Sequence, residues 1–219
     1  MNVFDIIGPV MVGPSSSHTA GAVRIGRIAR KLLGEEPAEV HIQFHGSFAR
    51  TYRGHGTDRA VIGGLLGFEP DDTRIRESLL LAERRGWKVT IETVALRDVH
   101  PNTAVIRLLG RSGRAVAVTG SSMGGGNILI RQIDDLKVEI TGEYHTLVVL
   151  HRDKPGVVAA VTGVLAVNRV NIARMNVYRR CRGCEALMVI ELDQDAGRAA
   201  VAEIRRLAGV LAVTALEPI

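Results

Sequence analysis

The sequence is poor in the residues that usually announce a metal or redox protein. Among 219 residues there are only two cysteines, Cys181 and Cys184. Two thiols cannot build a disulfide framework, and they are too few for a four-thiolate zinc or iron–sulfur site. Aromatic residues make up 4% of the chain, so stacking platforms for single-stranded nucleic acid are scarce. Charge of one sign is also lacking: 28 Lys plus Arg stand against 23 Asp plus Glu, a difference of +5. The basic residues are scattered among acids, which speaks against a nucleic-acid surface despite the high pI. No run of about 18 apolar residues occurs, which excludes a spanning helix. Met1-Asn2-Val3-Phe4-Asp5 shows no basic segment followed by an apolar stretch, so no secretory signal is expected and the cytoplasm is the expected location.

What remains is an ordinary globular composition, 46% hydrophobic and 23% charged. A polar stretch from Gln132 to Glu143 precedes a new apolar run, and the expected division is 1–143 and 144–219. In the second part, Thr146–Leu150 reads as a strand and Asp153-Lys154-Pro155-Gly156 as a turn. Val157–Val167 reads as a helix with Val157, Val161, Val164 and Leu165 on one face. Strands are expected at 170–179, 186–192 and 210–216, with a turn at Arg180–Gly183 and a helix at 196–208. The order is βαββαβ, a ferredoxin-like unit.

The first part mixes helices and strands. Ala22, Ile25, Ala29 and Leu32 form the apolar stripe of a helix ending at Gly34, with Arg24, Arg27 and Lys31 opposite. Glu39–Phe44 alternates as a strand. Helices are expected from Thr57 or Asp58 to near Gly67 and from Asp72 to Arg85. Strands are expected at 87–95, 104–110, 114–119 and 128–140. The fold class is therefore α+β: a mixed α/β sandwich followed by the ferredoxin-like unit.

Four loops carry polar chemistry. Ser15-Ser16-Ser17-His18-Thr19 puts hydroxyls and an imidazole at a helix start, where a carboxylate or phosphate is well received, although one hydroxyl would suffice as a cap. His55-Gly56-Thr57-Asp58 also precedes a helix, and Thr57 or Asp58 there is open to a capping role. His100-Pro101-Asn102-Thr103 is a polar turn between strands. Ser121-Ser122-Met123-Gly124-Gly125-Gly126-Asn127 lacks the spacing of a Walker or dinucleotide loop. It permits close backbone approach, or forms a plain hairpin. Loops at element ends are able to converge on one edge of a sheet. Cys181-Arg182-Gly183-Cys184 has redox or metal spacing but lies in an expected turn without a second pair.

The run His151–Val157 with the later Asn168-Arg169-Val170-Asn171-Ile172 resembles the ACT domain. That resemblance implies an amino-acid effector bound near Asp153, Gly156 and Asn171, or dimerisation alone. Gly-Pro-Ser-Ser-Ser-His-Thr-Ala-Gly, His-Gly-Thr-Asp, His-Pro-Asn-Thr and Ser-x-Gly-Gly-Gly ahead of an ACT domain resemble the beta subunits of bacterial iron–sulfur L-serine dehydratases. These enzymes convert L-serine to pyruvate and ammonia. The resemblance implies a [4Fe–4S] cluster held by a cysteine-bearing alpha subunit and not by this chain, which itself supplies no metal ligand. A bound iron then serves as Lewis acid toward the leaving hydroxyl. It further implies His18, His55 and His100 as catalytic candidates, and Ser15, Ser16, Ser17, Thr19, Thr57 and Asn127 as substrate-binding candidates. Expected partners are the alpha subunit, L-serine, an amino-acid effector and a second copy of the chain, with neither nucleic acid nor membrane. The first part also resembles the substrate-binding regulatory domain of some phosphoglycerate dehydrogenases. In that case the same loops bind an anionic effector without catalysis.

Overall fold

The computed structural model describes residues 9–219, so the N-terminal reading of Met1–Asp5 lies outside the described residues. The chain divides into two compact units, Met1–Asp135 and Leu136–Ile219. Among the described residues no helix is long and apolar enough to cross a membrane.

In the first unit a π-helical turn, Ser17–Gly21, runs directly into helix α1, Ala22–Leu33. Its apolar stripe is buried as the spacing requires, and Gly34 ends it with φ 77°, the left-handed geometry that glycine adopts freely. Strand β1, Pro37–His45, follows, with Val40, Ile42 and Phe44 buried. Helices α2 (Gly46–His55) and α3 (Thr57–Leu66) come next, then a 3₁₀ turn (Thr73–Glu77) and α4 (Ser78–Arg84). Strands β2 (Lys88–Val94), β3 (Thr103–Gly110), β4 (Ala115–Gly124) and β5 (Asn127–Ile133) complete the unit.

Within this unit the strands are hydrogen-bonded in the order β2-β1-β3-β4-β5. The β1–β2 pair is parallel, and the other neighbours are antiparallel. On the face away from the buried residues of β1, a polar ladder crosses three strands. His41 Nε2 lies 3.1 Å from Glu92 on β2, and Arg107 on β3 donates to Gln43 at 2.5 Å. The alternation of β1 thus sorts one apolar face from one wet face.

Two expectations are corrected. Helix α2 was not foreseen; its ten residues bury only Phe48, too few for an apolar period to be visible. The single strand expected at 128–140 is two, β5 and β6 (Leu136–Ile140), separated by a turn at Asp134. Asp134 takes φ 52° there and accepts from the Ala117 amide through its carboxylate at 2.9 Å.

After β6 the second unit follows the expected order. It comprises β7 (His145–Arg152), α5 (Val157–Val167), β8 (Ile172–Arg179), β9 (Glu185–Leu192), α6 (Gly197–Arg206) and β10 (Val210–Leu216). Its sheet runs β10-β7-β9-β8 with every neighbouring pair antiparallel. Leu147, Val149, Met188 and Ile190 from the sheet meet Val161, Leu165 and Ile204 from the helices in one core.

Helices α1 and α3 pack through glycines. A Cβ on Gly26 would run into the Val61 carbonyl oxygen, and one on Gly64 into the Val23 carbonyl oxygen. Arg30 Nη1 reaches the Leu65 carbonyl at 2.8 Å further along, so the two helices run in the same sense. Gly64→Ala gains helix propensity but must force the backbones apart. A net loss of about 1–3 kcal/mol is expected, read as a lower Tm and denaturation midpoint.

Candidate functional site: a histidine–hydroxyl cluster

The cluster forms where the first unit's helices begin. His18 is 8% exposed and lies in the π-helical turn, whose register is set by the Gly21 amide donating to the Ser16 carbonyl at 3.0 Å. Its Nδ1 is 3.2 Å from Ser15 Oγ and its Nε2 is 3.4 Å from Ser47 Oγ. Each hydroxyl can donate or accept, so the two contacts hold the ring between them in either tautomer. Its ring packs edge-on against His55 at 4.7 Å and against Phe48 at 5.1 Å. Burial first, and the neighbouring His55 second, lower the His18 pKa below the usual imidazole value.

The other loops join this turn through a chain of contacts. The Ser47 amide donates to the Pro101 carbonyl at 2.8 Å, tying the start of α2 to the His100–Thr103 loop. In that loop His100 Nδ1 accepts from the Asn102 amide at 3.1 Å, and Thr103 Oγ1 donates to the His100 carbonyl at 2.6 Å. Thr103 Oγ1 is also 2.8 Å from Ser121 Oγ, and the Ser122 amide donates to the Asn102 carbonyl at 2.9 Å. Ser122 in turn lies against Gly21, where a Cβ would overlap its hydroxyl. Gly13 is equally required, because a Cβ there would overlap the Thr19 hydroxyl.

Among the described residues of this unit, five buried polar atoms have no hydrogen-bond partner: Thr19 Oγ1, His55 Nδ1, Thr57 Oγ1, Asn102 Oδ1 and Ser122 Oγ. Buried polar groups are ordinarily paired, and leaving one unpaired costs about 1–3 kcal/mol. All five belong to the four loops singled out from the sequence. Helix capping does not account for them. The residue before α3 is Gly56, no side chain caps that helix, and Thr57 is fully buried. The set offers hydroxyl donors, an amide acceptor and an imidazole nitrogen, which suits a small polar molecule with a carboxylate and a hydroxyl.

The residues expected from the sequence fare differently. His18, His55, Ser15, Thr19 and Thr57 lie at the shared helix-start end, and His100 lies in the loop that joins it through Asn102 and Ser122. Ser16 and Ser17 are half-buried in the turn. Asn127 is exposed at the far side of the β4–β5 hairpin, opposite Gly124, and no contact brings it to the cluster. The hairpin is instead tied to α1 by Arg24, which donates to the Gly126 carbonyl at 2.7 Å. Ser47, Phe48, Asn102 and Ser122 join the site beyond the residues expected from the sequence. Asn102 and Ser122 lay within the quoted motifs; Ser47 had only its place at a strand end as a signal.

In the second unit, Asp153 accepts from the Gly183 amide at 3.0 Å and from Arg179 Nη1 at 2.8 Å. These two donors hold its carboxyl below the usual range. Asn171 donates to Asp193 at 2.5 Å, and Gly156 precedes α5 with φ 91°. Cys181 and Cys184 are joined by a disulfide in the β8–β9 turn. No group of three or more His, Cys, Asp or Glu is placed to hold a metal ion among the described residues, so these donors do not fit an iron–sulfur cluster.

A mixed α/β unit with this cluster is followed by a βαββαβ unit whose first strand turns through Asp-Lys-Pro-Gly into α5, the layout of a chain that carries an ACT domain. The ACT-domain model matches residues 145–209, and the serine dehydratase beta-chain model matches residues 2–93. The probable L-serine dehydratase beta chain of Bacillus subtilis is 46% identical over 213 residues, 97% of this chain and 96% of that one. The L-serine dehydratase beta chain of Peptoniphilus asaccharolyticus is 40% identical over 194 residues, 88% and 87% of the two chains. A D-3-phosphoglycerate dehydrogenase of Synechocystis is 27% identical over 192 residues, 86% of this chain but 34% of that protein. The chain belongs to the L-serine dehydratase beta-chain family.

Two outcomes test the cluster. Thr19→Val and Ser122→Ala remove hydroxyls that have no partner, so Tm is expected to stay level or rise, by up to about 1–3 kcal/mol of stability. A clear fall in Tm would show that those hydroxyls are bonded. Because the folded His18 pKa lies below its unfolded value of about 6.5, the unfolded chain binds the extra proton as pH falls below 6.5. This site's contribution to stability is thus constant above that pH and declines between it and the lower folded value. His18→Gln should flatten that part of a Tm-against-pH curve between pH 7 and 5.

Proposed function

We propose that this chain is the serine-gripping half of an L-serine dehydratase, active in the cytoplasm with a cysteine-bearing alpha subunit. Residues 1–143 bind the substrate, and residues 144–219 form the ACT domain, which pairs with a second copy and receives an amino-acid effector near Asp153, Gly156 and Asn171. The observation that carries the reading is the group of five partnerless buried polar atoms in loops of this family's motifs. The iron–sulfur cluster is assigned to the alpha subunit, in keeping with a chain whose only two cysteines are tied to each other.

The overall reaction removes the α-proton and the β-hydroxyl of L-serine as water. The resulting enamine hydrolyses to pyruvate and ammonia. In this chain the hydroxyls of Thr19, Thr57 and Ser122 are assigned to the serine carboxylate and side chain, with the Asn102 amide oxygen accepting from the ammonium group. Ser15, Ser16 and Ser17 shape the turn that closes over it. Neutral His18, held between Ser15 and Ser47, is suited to accept and return a proton near neutral pH. His55 and His100 flank it as further proton-handling candidates. Asn127 keeps a place at the mouth of the glycine hairpin.

Reconstitution tests this reading. Anaerobic mixing of the chain with its alpha subunit should give pyruvate from L-serine, and neither half alone should. His18→Ala in the complex should lower kcat/KM by about 10²–10⁴-fold, the usual contribution of a positioned acid or base. If the single replacements of His18, His55 and His100 all left kcat unchanged, the site assignment would fail. Serine binding by the chain without any contribution to turnover would point instead to a regulatory module, in line with the similarity to D-3-phosphoglycerate dehydrogenases.

A further inference from the structure

The Cys181–Cys184 disulfide has no role in the reaction described above, and its surroundings are specific. It closes the four-residue turn between β8 and β9, with Cα atoms 5.5 Å apart. Cys181 and Gly183 are exposed and Cys184 is half-buried, so the bond is within reach of solvent. Arg179, Arg180 and Arg182 lie within the turn and its approach, while Arg152 and Lys154 flank Asp153 on the adjoining loop. Arg179 is paired with Asp153 and Arg152 with Glu185, and basic side chains still outnumber acidic ones around the turn, the setting in which thiols exchange readily with disulfides.

The turn is fastened to the loop that leads into α5. The Asp153 amide donates to the Cys184 carbonyl at 2.8 Å. The Asp153 carboxylate accepts from the Gly183 amide at 3.0 Å and from Arg179 at 2.8 Å. Two of these three bonds use backbone groups of residues 181–184, the segment that the disulfide joins end to end. Gly183 donates to Asp153 from φ 79°, the left-handed conformation that glycine adopts freely. Opening the ring restores conformational freedom to the turn, and the bonds to Asp153 must then be made against that freedom.

We propose that Cys181 and Cys184 form a reversible thiol–disulfide site that latches the β8–β9 turn onto the Asp153 loop when oxidised and frees it when reduced. The reductant is a small thiol. Its thiolate attacks one sulfur and breaks the protein S–S bond through a mixed disulfide, and a second thiol releases the small disulfide. Two electrons and two protons pass to the protein, leaving Cys181 and Cys184 as thiols. That the latch bears on effector response rests on the effector reading of the Asp153 loop given above; the exchange itself does not.

The test uses the full chain and no ligand. The chain is equilibrated in graded ratios of reduced to oxidised glutathione, alkylated with iodoacetamide and weighed. Both cysteines should become alkylated together over one transition. Trypsin should cut after Arg180 and Arg182 about tenfold faster in the reduced chain than in the oxidised one, because local opening of the turn governs cleavage. The Cys181→Ser/Cys184→Ser double variant should cut at the reduced rate under both conditions. A bond that survives excess glutathione in the folded chain, or equal cleavage in both states, would overturn the proposal. Neither readout depends on serine binding, so failure of the latch and failure of the dehydratase reading are separately visible.

Discussion

The close crossing of α1 and α3 is the constraint on which the first unit depends. Gly26 and Gly64 let two helix backbones approach to a distance that any side chain would forbid. Because the helices run in the same sense, their starting turns emerge side by side. His18 at one start meets His55, which ends α2 just before the other. Helix starts carry unsatisfied amides and partial positive charge, so two of them together make a natural receiving end for a carboxylate. The sheet adds the rest from the same end: β1 leaves into α2 at Ser47, β3 enters at Thr103, and β4 delivers Ser121 and Ser122.

The cluster is held in an unfavourable state by its surroundings. Hydroxyls at Thr19, Thr57 and Ser122 are buried without partners, and a histidine is buried where charging is disfavoured. Each costs stability in the isolated chain, and the costs are offset by the helix pair and by the apolar face of the sheet. A ligand with matching polar groups recovers what folding forgoes, which is why such a site binds selectively. Burial lowers the His18 pKa and so favours the uncharged ring near neutral pH, the form that the proton-accepting role proposed for it requires.

The second unit solves a different problem with ordinary means. Its core is aliphatic, and its sheet order is that of the ferredoxin-like fold. What is particular to it lies at the rim, where Asp153 links the loop before α5 to the β8–β9 turn. A residue that reads as a ligand contact in the sequence is already engaged within the chain. Any event that loosens the turn therefore releases a carboxylate and a loop together.

Period and composition were enough for most elements, because α1 and β1 each bury one face and so carry a regular apolar signal, while β7 and β9 are buried almost throughout and show as continuous apolar runs. The four polar loops were legible for the same reason in reverse, as runs of hydroxyls, histidines and glycines with no core to serve. Helix α2 escaped notice because Phe48 alone anchors it, between Phe44 and the His18 ring. Sequence could not distinguish Asn102 from Asn127, two asparagines in equally polar turns. One is half-buried with its side-chain oxygen enclosed and its carbonyl held by Ser122, and the other is exposed in a hairpin. Nor could it show that Ser122 lies against Gly21, since that contact exists only once distant segments close on each other. The chain's family, its elements and the identity of its polar loops were thus set locally, by side-chain chemistry and period. Which of those polar atoms lack a partner was decided by the tertiary structure, because burial is a property of packing and not of any residue alone.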